Sequence, residues 1–105
     1  MLFHTSQRDF FEVLEISQEM PVLVDFYAPW CAPCRALEPK LDQLSEDYPD
    51  QVIAYSVNTD TDPELAQEYA VENLPCVILF RNGKPVKRWE KNISVEEIEQ
   101  VIRNQ

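Results

Sequence analysis

Val22-Leu23-Val24-Asp25-Phe26-Tyr27-Ala28 is an almost unbroken apolar run, interrupted by one carboxylate. A strand covered on both faces reads this way, so the run is expected at the centre of a sheet. After Cys34 the period changes: Leu37, Leu41, Leu44 and Tyr48 recur at helical spacing and predict one long helix from the cysteine pair to about Asp47. Pro39 falls inside it and is expected to kink the helix near residues 35–39 without ending it.

The remaining pattern completes an alternation of strands and helices. Leu2-Phe3-His4 suits an edge strand, and Ser6 with Asp9 resembles a capping arrangement before a helix whose apolar face is Phe10, Val13 and Leu14. Pro21 closes that unit. Val52, Ile53 and Val57 predict a third strand, and Asp62-Pro63 reads as a cap with proline at the first helical position, with Leu65, Ala66, Tyr69 and Ala70 as the buried side. Val77-Ile78-Leu79-Phe80, the turn Asn82-Gly83 and residues 86–89 form a hairpin. Ser94 with Glu97 is a capping box, and Ile93 with Ile98 a hydrophobic staple, for a last helix over residues 95–103. The order β-α-β-α-β-α-β-β-α implies an α/β fold, a mixed five-stranded sheet with four helices on its two faces.

At 105 residues and 45% apolar content, one compact domain over residues 1–105 is expected, without linker or repeat. The formal charge of −10 is uneven: residues 1–80 hold 15 acids and 3 bases, residues 81–105 hold 4 acids and 6 bases. That acidity argues against nucleic acid as a partner, since phosphate binding needs clustered Lys and Arg. Arg81, Lys84, Lys87, Arg88 and Lys91 are the local exception. They read as charges that keep a hairpin edge from pairing with other sheets, with docking of an acidic partner as the alternative. No apolar run reaches bilayer length, so no membrane association is expected. The charged residues His4, Arg8, Asp9 and Glu12 near the start do not suit a signal peptide, and an odd count of three cysteines does not suit a paired framework. A cytoplasmic location follows as the expectation.

Trp30-Cys31-Ala32-Pro33-Cys34 carries the chemistry. Cysteines three positions apart at a helix start lie close enough to form and break a disulfide and so to carry two electrons. The competing reading is a zinc site of Cys31, Cys34, Cys76 and His4, although no second closely spaced ligand pair supports it.

Taken together, the strand, the Trp-Cys-x-Pro-Cys element, Arg35, the proline-containing helix, Leu74-Pro75 before a strand and Asn82-Gly83 resemble the thioredoxin family along the whole chain. The resemblance implies a thiol-disulfide oxidoreductase that reduces protein disulfides, is recycled by a thioredoxin reductase, acts as a monomer and needs neither metal nor cofactor. It assigns Cys31 as nucleophile, Cys34 as resolving thiol and Asp25 as the proton acceptor and donor beneath Cys34. Burial is expected to raise the Asp25 pKa, the more so because Ser56 stands where the family often has a lysine. Pro75 resembles the family's cis-proline, with Leu74 beside it, and Trp30, Ala32 and Pro33 shape the surface and stiffness of the active turn. Cys76 would stand near the pair, either as a regulatory thiol or as an inert buried residue.

Ala32, Asn73 and Lys91 occupy places where the family often has glycine, which puts partner range in question. The same features motivate a specialised oxidoreductase or isomerase of narrow range, and a non-redox binding or chaperone module on this fold is the rival from another class.

Overall fold

The computed structural model describes residues Met1–Gln105. Its elements are β1 (Leu2–His4), α1 (Phe10–Ile16), β2 (Val22–Tyr27), α2 (Ala32–Asp47), β3 (Ile53–Asn58), α3 (Pro63–Glu68), β4 (Cys76–Arg81), β5 (Lys84–Glu90) and α4 (Val95–Arg103). The strands form one sheet in the order β1-β3-β2-β4-β5. β1, β3 and β2 are parallel, β4 pairs antiparallel with β2, and β5 pairs antiparallel with β4. The apolar run at β2 therefore has a strand on either side, and all of its residues but Tyr27 are buried.

The sheet divides the core in two. On one face Leu37, Leu41 and Leu44 of α2 and Ile98 and Ile102 of α4 pack on Leu23, Ala54, Val77 and Leu79. On the other, Phe10 and Val13 of α1 and Leu65 of α3 pack on Val22, Val24, Phe26, Ile78 and Phe80. Alternate residues of β2 and β4 thus feed opposite cores, as a period of two demands. α2 runs through Pro39 without a break. No helix is long and apolar enough to cross a membrane.

Three local expectations change. α1 begins at Phe10 after a turn in which the Asp9 N–H donates to the Ser6 carbonyl, so Ser6 caps nothing with its side chain. Asp62 precedes α3 but turns its carboxylate away, accepting from the Gln7 N–H at 2.9 Å and so tying the chain start to α3. Ala70 is exposed and lies outside α3 with φ of 54°. There the Val71 N–H donates to the Ala66 carbonyl and the Ala70 N–H to that of Gln67, which is the Schellman closure with alanine in the position that favours glycine. Ser94 does cap α4, its Oγ accepting from the Glu97 N–H at 3.3 Å.

At the sheet edge, Asn82 and Gly83 turn the hairpin with φ of 56° and 77°, the left-handed pair that suits a two-residue connection. β5 is exposed from Lys84 to Arg88, and its lysines and Pro85 discourage pairing with a further strand. Trp89 is the buried residue of β5 and joins the α2/α4 core.

Candidate active site

β2 delivers the chain to a short turn in which the Cys31 N–H donates to the Ala28 carbonyl at 3.1 Å. Cys31 is the N-cap of α2, extended at φ −88° and ψ 107°. Its sulfur accepts the Cys34 N–H at 3.3 Å, so a backbone donor of the first helical turn points at the thiol that would become an anion. Pro33 fits the first turn because an N–H there has no helical acceptor to lose. No acidic side chain stands in that turn to oppose the positive helix end. Arg35 braces the entry, its Nη1 donating to the Pro29 carbonyl at 2.7 Å.

Cys31 and Cys34 form a disulfide with Cα atoms 5.3 Å apart. Cys31 is 6% exposed and Cys34 2%, so both are nearly enclosed. Cys31 is not open to solvent at the helix tip, because Ala28, Tyr27 and Leu74 pack around the pair. Ala32 and Pro33 are exposed beside it.

Asp25 sits one pleat beyond Leu23 on the face that α2 covers, and it is 1% exposed. Neither carboxylate oxygen has a hydrogen-bond partner in the protein. Burial, and secondarily the negative charge of Glu38, raises its pKa from 3.8 to about 7. Glu38 and Cys34 are four residues apart on α2 and share a helix face. The carboxylate thus faces the helix surface that also carries the second thiol. Ser56, its register partner on β3, brings no positive charge and instead shares a hydrogen bond of 2.6 Å with His4 Nδ1.

The Leu74–Pro75 bond is cis. Leu74 packs on the cysteine pair, and Pro75 lines a groove together with Pro33. Trp30 is 70% exposed, its indole N–H donating to Asp60 at 3.3 Å, so it presents a broad apolar face next to the disulfide.

Cys76 departs from expectation. It pairs in register with Phe26, not Asp25, so its side chain enters the α1/α3 core on the opposite face of the sheet from Asp25. It is fully buried, and burial pushes its thiol up to about 11. Its side chain is therefore not presented at the surface beside the cysteine pair. The same placement separates the proposed zinc ligands: His4 engages Ser56 on the far edge of the sheet, and no three His, Cys, Asp or Glu side chains converge as a metal site.

Sequence reasoning missed Glu38 as the charge facing Asp25, Asp60 as the partner of Trp30, and the His4 to Ser56 contact. All three join residues distant in sequence or depend on which way a helix face turns, and no spacing signal marks them.

Comparison with known proteins agrees with this geometry. The family model described as thioredoxin matches residues 1–104. Thioredoxin 1 of Synechococcus elongatus is 47% identical over 75 residues, covering 71% of this chain and 68% of that protein. Thioredoxin of Griffithsia pacifica is 46% identical over 71 residues, 68% of this chain and 65% of its own length. Thioredoxin Y1, chloroplastic, of Arabidopsis thaliana is 38% identical over 96 residues, 91% of this chain and 56% of its own length. The chain thus spans about two thirds or less of the length of these relatives.

Proposed function

This chain belongs to the thioredoxin family, and we propose that it is a thiol-disulfide oxidoreductase that reduces protein disulfides through Cys31 and Cys34. The observation that carries the reading is the cysteine pair at the start of α2, with the Cys34 N–H donating to the Cys31 sulfur. A donor placed there favours the Cys31 thiolate over the thiol. The thiolate attacks one sulfur of a substrate disulfide, forming a mixed disulfide and releasing the first substrate thiolate. Cys34 then attacks the Cys31 sulfur, which breaks the mixed disulfide and releases the second. Two electrons pass to the substrate, and the Cys31–Cys34 disulfide remains.

Cys34 must lose its proton for the second attack. Asp25, buried and unpaired with a pKa of about 7, takes that proton near neutral pH and returns it when the pair is reduced again. Trp30, Leu74 and Pro75 form the surface that receives the substrate. The main-chain groups of Asn73 and Leu74 make no hydrogen bond within the chain, which supports an extended substrate segment pairing there. A thioredoxin reductase recycles the disulfide. The protein acts as a one-domain monomer in the cytoplasm, although the Arabidopsis relative is named as chloroplastic and shows that family membership does not fix the compartment.

The test is reduction of a disulfide protein by wild type, Cys31→Ser and Cys34→Ser, with a reductase supplying electrons. Wild type is expected to turn over, Cys31→Ser to be inactive, and Cys34→Ser to accumulate a mixed disulfide on Cys31. Turnover persisting in Cys31→Ser defeats the assignment.

A further inference from the structure

Next to the disulfide lies a groove of about 210 Å³ whose walls include Pro33 of the active turn, Pro75, Ile93, Asn92, Lys40 and Lys91. It contains two lysines and no carboxylate, in a chain with 19 acids and 9 bases. Neither ammonium forms an ion pair within the protein. The acid next to Lys91 in sequence, Glu90, is already engaged by Arg88 at 3.2 Å and by the Asn73 amide at 3.3 Å. Lys40 also borders an adjoining groove that holds Asp47, Glu96 and Glu99, so Lys91 is the charge most available to a ligand.

The backbone adds an independent observation. Lys91 has φ of 63°, in the left-handed region that favours glycine, and its N–H is fixed to the Pro75 carbonyl at 3.0 Å. A long cationic side chain is thus carried where the chain geometry suits a residue with none. Just before Pro75 in the chain, Asn73 and Leu74 leave their main-chain groups free for an extended segment.

We infer that Lys91 and Lys40 are specificity-determining residues, and that the groove receives an extended segment of an oxidised protein carrying Asp or Glu beside its disulfide cysteine. The inference rests on the oxidoreductase reading and adds the class of substrate. The acidic remainder of the surface repels such a segment at long range in every variant alike. The local lysines act at contact distance, where they change the relative rates of acidic and basic substrates.

The experiment measures kcat/KM for two disulfide-linked peptides that differ only in having Glu or Lys on both sides of the reacting cysteine. The readout is the ratio of the two values. The double variant Lys40→Glu, Lys91→Glu is expected to lower the acidic-to-basic ratio about tenfold, and Lys91→Gly, which also relaxes the backbone, about threefold. Lys87→Glu, a charge change in the middle of β5, leaves the ratio within about twofold of wild type. The loss is largest at low ionic strength and shrinks in ~0.5 M salt. A double variant whose ratio stays within about twofold of wild type overturns the inference alone. Absence of turnover for both peptides with the wild type overturns the redox reading, and the inference with it.

Discussion

Replacing Asp25 by Asn tests the electrostatic account of the site most directly. The carboxyl is 1% exposed, has no hydrogen-bond partner and titrates near 7 instead of 3.8. In the unfolded chain it ionises above about pH 4, whereas in the folded chain it holds its proton until about pH 7. Between those values the native state binds the extra proton, so raising the pH lowers stability by up to about 1.4 kcal/mol per pH unit from this group. The sign is that of a raised carboxylate: the folded state suffers no penalty below the unfolded pKa and the full penalty above the folded one. A shift of about three units amounts to ~4 kcal/mol by pH 8. Asn has nearly the same shape, stays neutral and leaves its polar atoms as unpartnered as those of the protonated acid. The variant is therefore expected to match wild type at pH 4 and to exceed it by about 3–4 kcal/mol at pH 8. Urea unfolding of the oxidised protein, followed by the fluorescence of Trp30 and Trp89 from pH 4 to 9, measures the difference. A stability gap that stays constant within about 1 kcal/mol across that range refutes the burial argument. The same substitution is expected to slow turnover by removing the proton acceptor for Cys34.

Two further predictions concern features away from the redox pair. Ala70→Gly places glycine in the Schellman position that alanine now occupies at φ of 54°, and the relief of strain outweighs the added freedom of the unfolded chain. A gain of about 0.5–1 kcal/mol, a rise of roughly 3–6 °C in Tm, is expected by calorimetry, and a lower Tm contradicts the assignment. The Cys76 thiol, fully buried and pushed up to about 11, is expected to resist iodoacetamide at pH 8 in the native protein and to react at once in urea. Rapid alkylation of the folded chain rules out the placement in the α1/α3 core.

Much of this architecture was legible because local signals and burial agree. The run at β2 is apolar on both sides and ends between two strands, and the leucine period of α2 matches the face it buries. The redox pair was legible too, since a spacing of three at a helix start dictates its own geometry. What could not be read depends on register and on which polar group wins a partner. Cys76 and Val77 are adjacent, and only the pairing of Asp25 with Val77 and of Phe26 with Cys76 decides which of them faces the redox side. Asp62 looks like a helix cap, but the Gln7 N–H takes its carboxylate, a contact across 55 residues of sequence that local spacing does not reveal.

Backbone strain alone does not mark function in this molecule. Ala70, Asn82 and Lys91 all have positive φ without being glycine. Asn82 serves the hairpin turn, where that conformation is required. Ala70 closes α3, and the Arg88 guanidinium donates to the carbonyls of Tyr69 and Ala70 that the helix end leaves open, so the strain there is offset by a structural clamp. Lys91 differs because its backbone is fixed by Pro75 while its charge is satisfied by nothing in the chain. Asp25 is alike in that respect: buried, unpaired and costly unless a proton must be moved there. Both groups lie against the elements that hold the Cys31–Cys34 pair, Asp25 on the α2 side of the sheet and Lys91 in the groove lined by Pro33. Asp25 alone among these positions combines full burial with unpartnered carboxyl oxygens, and that separates it from positions that are merely strained.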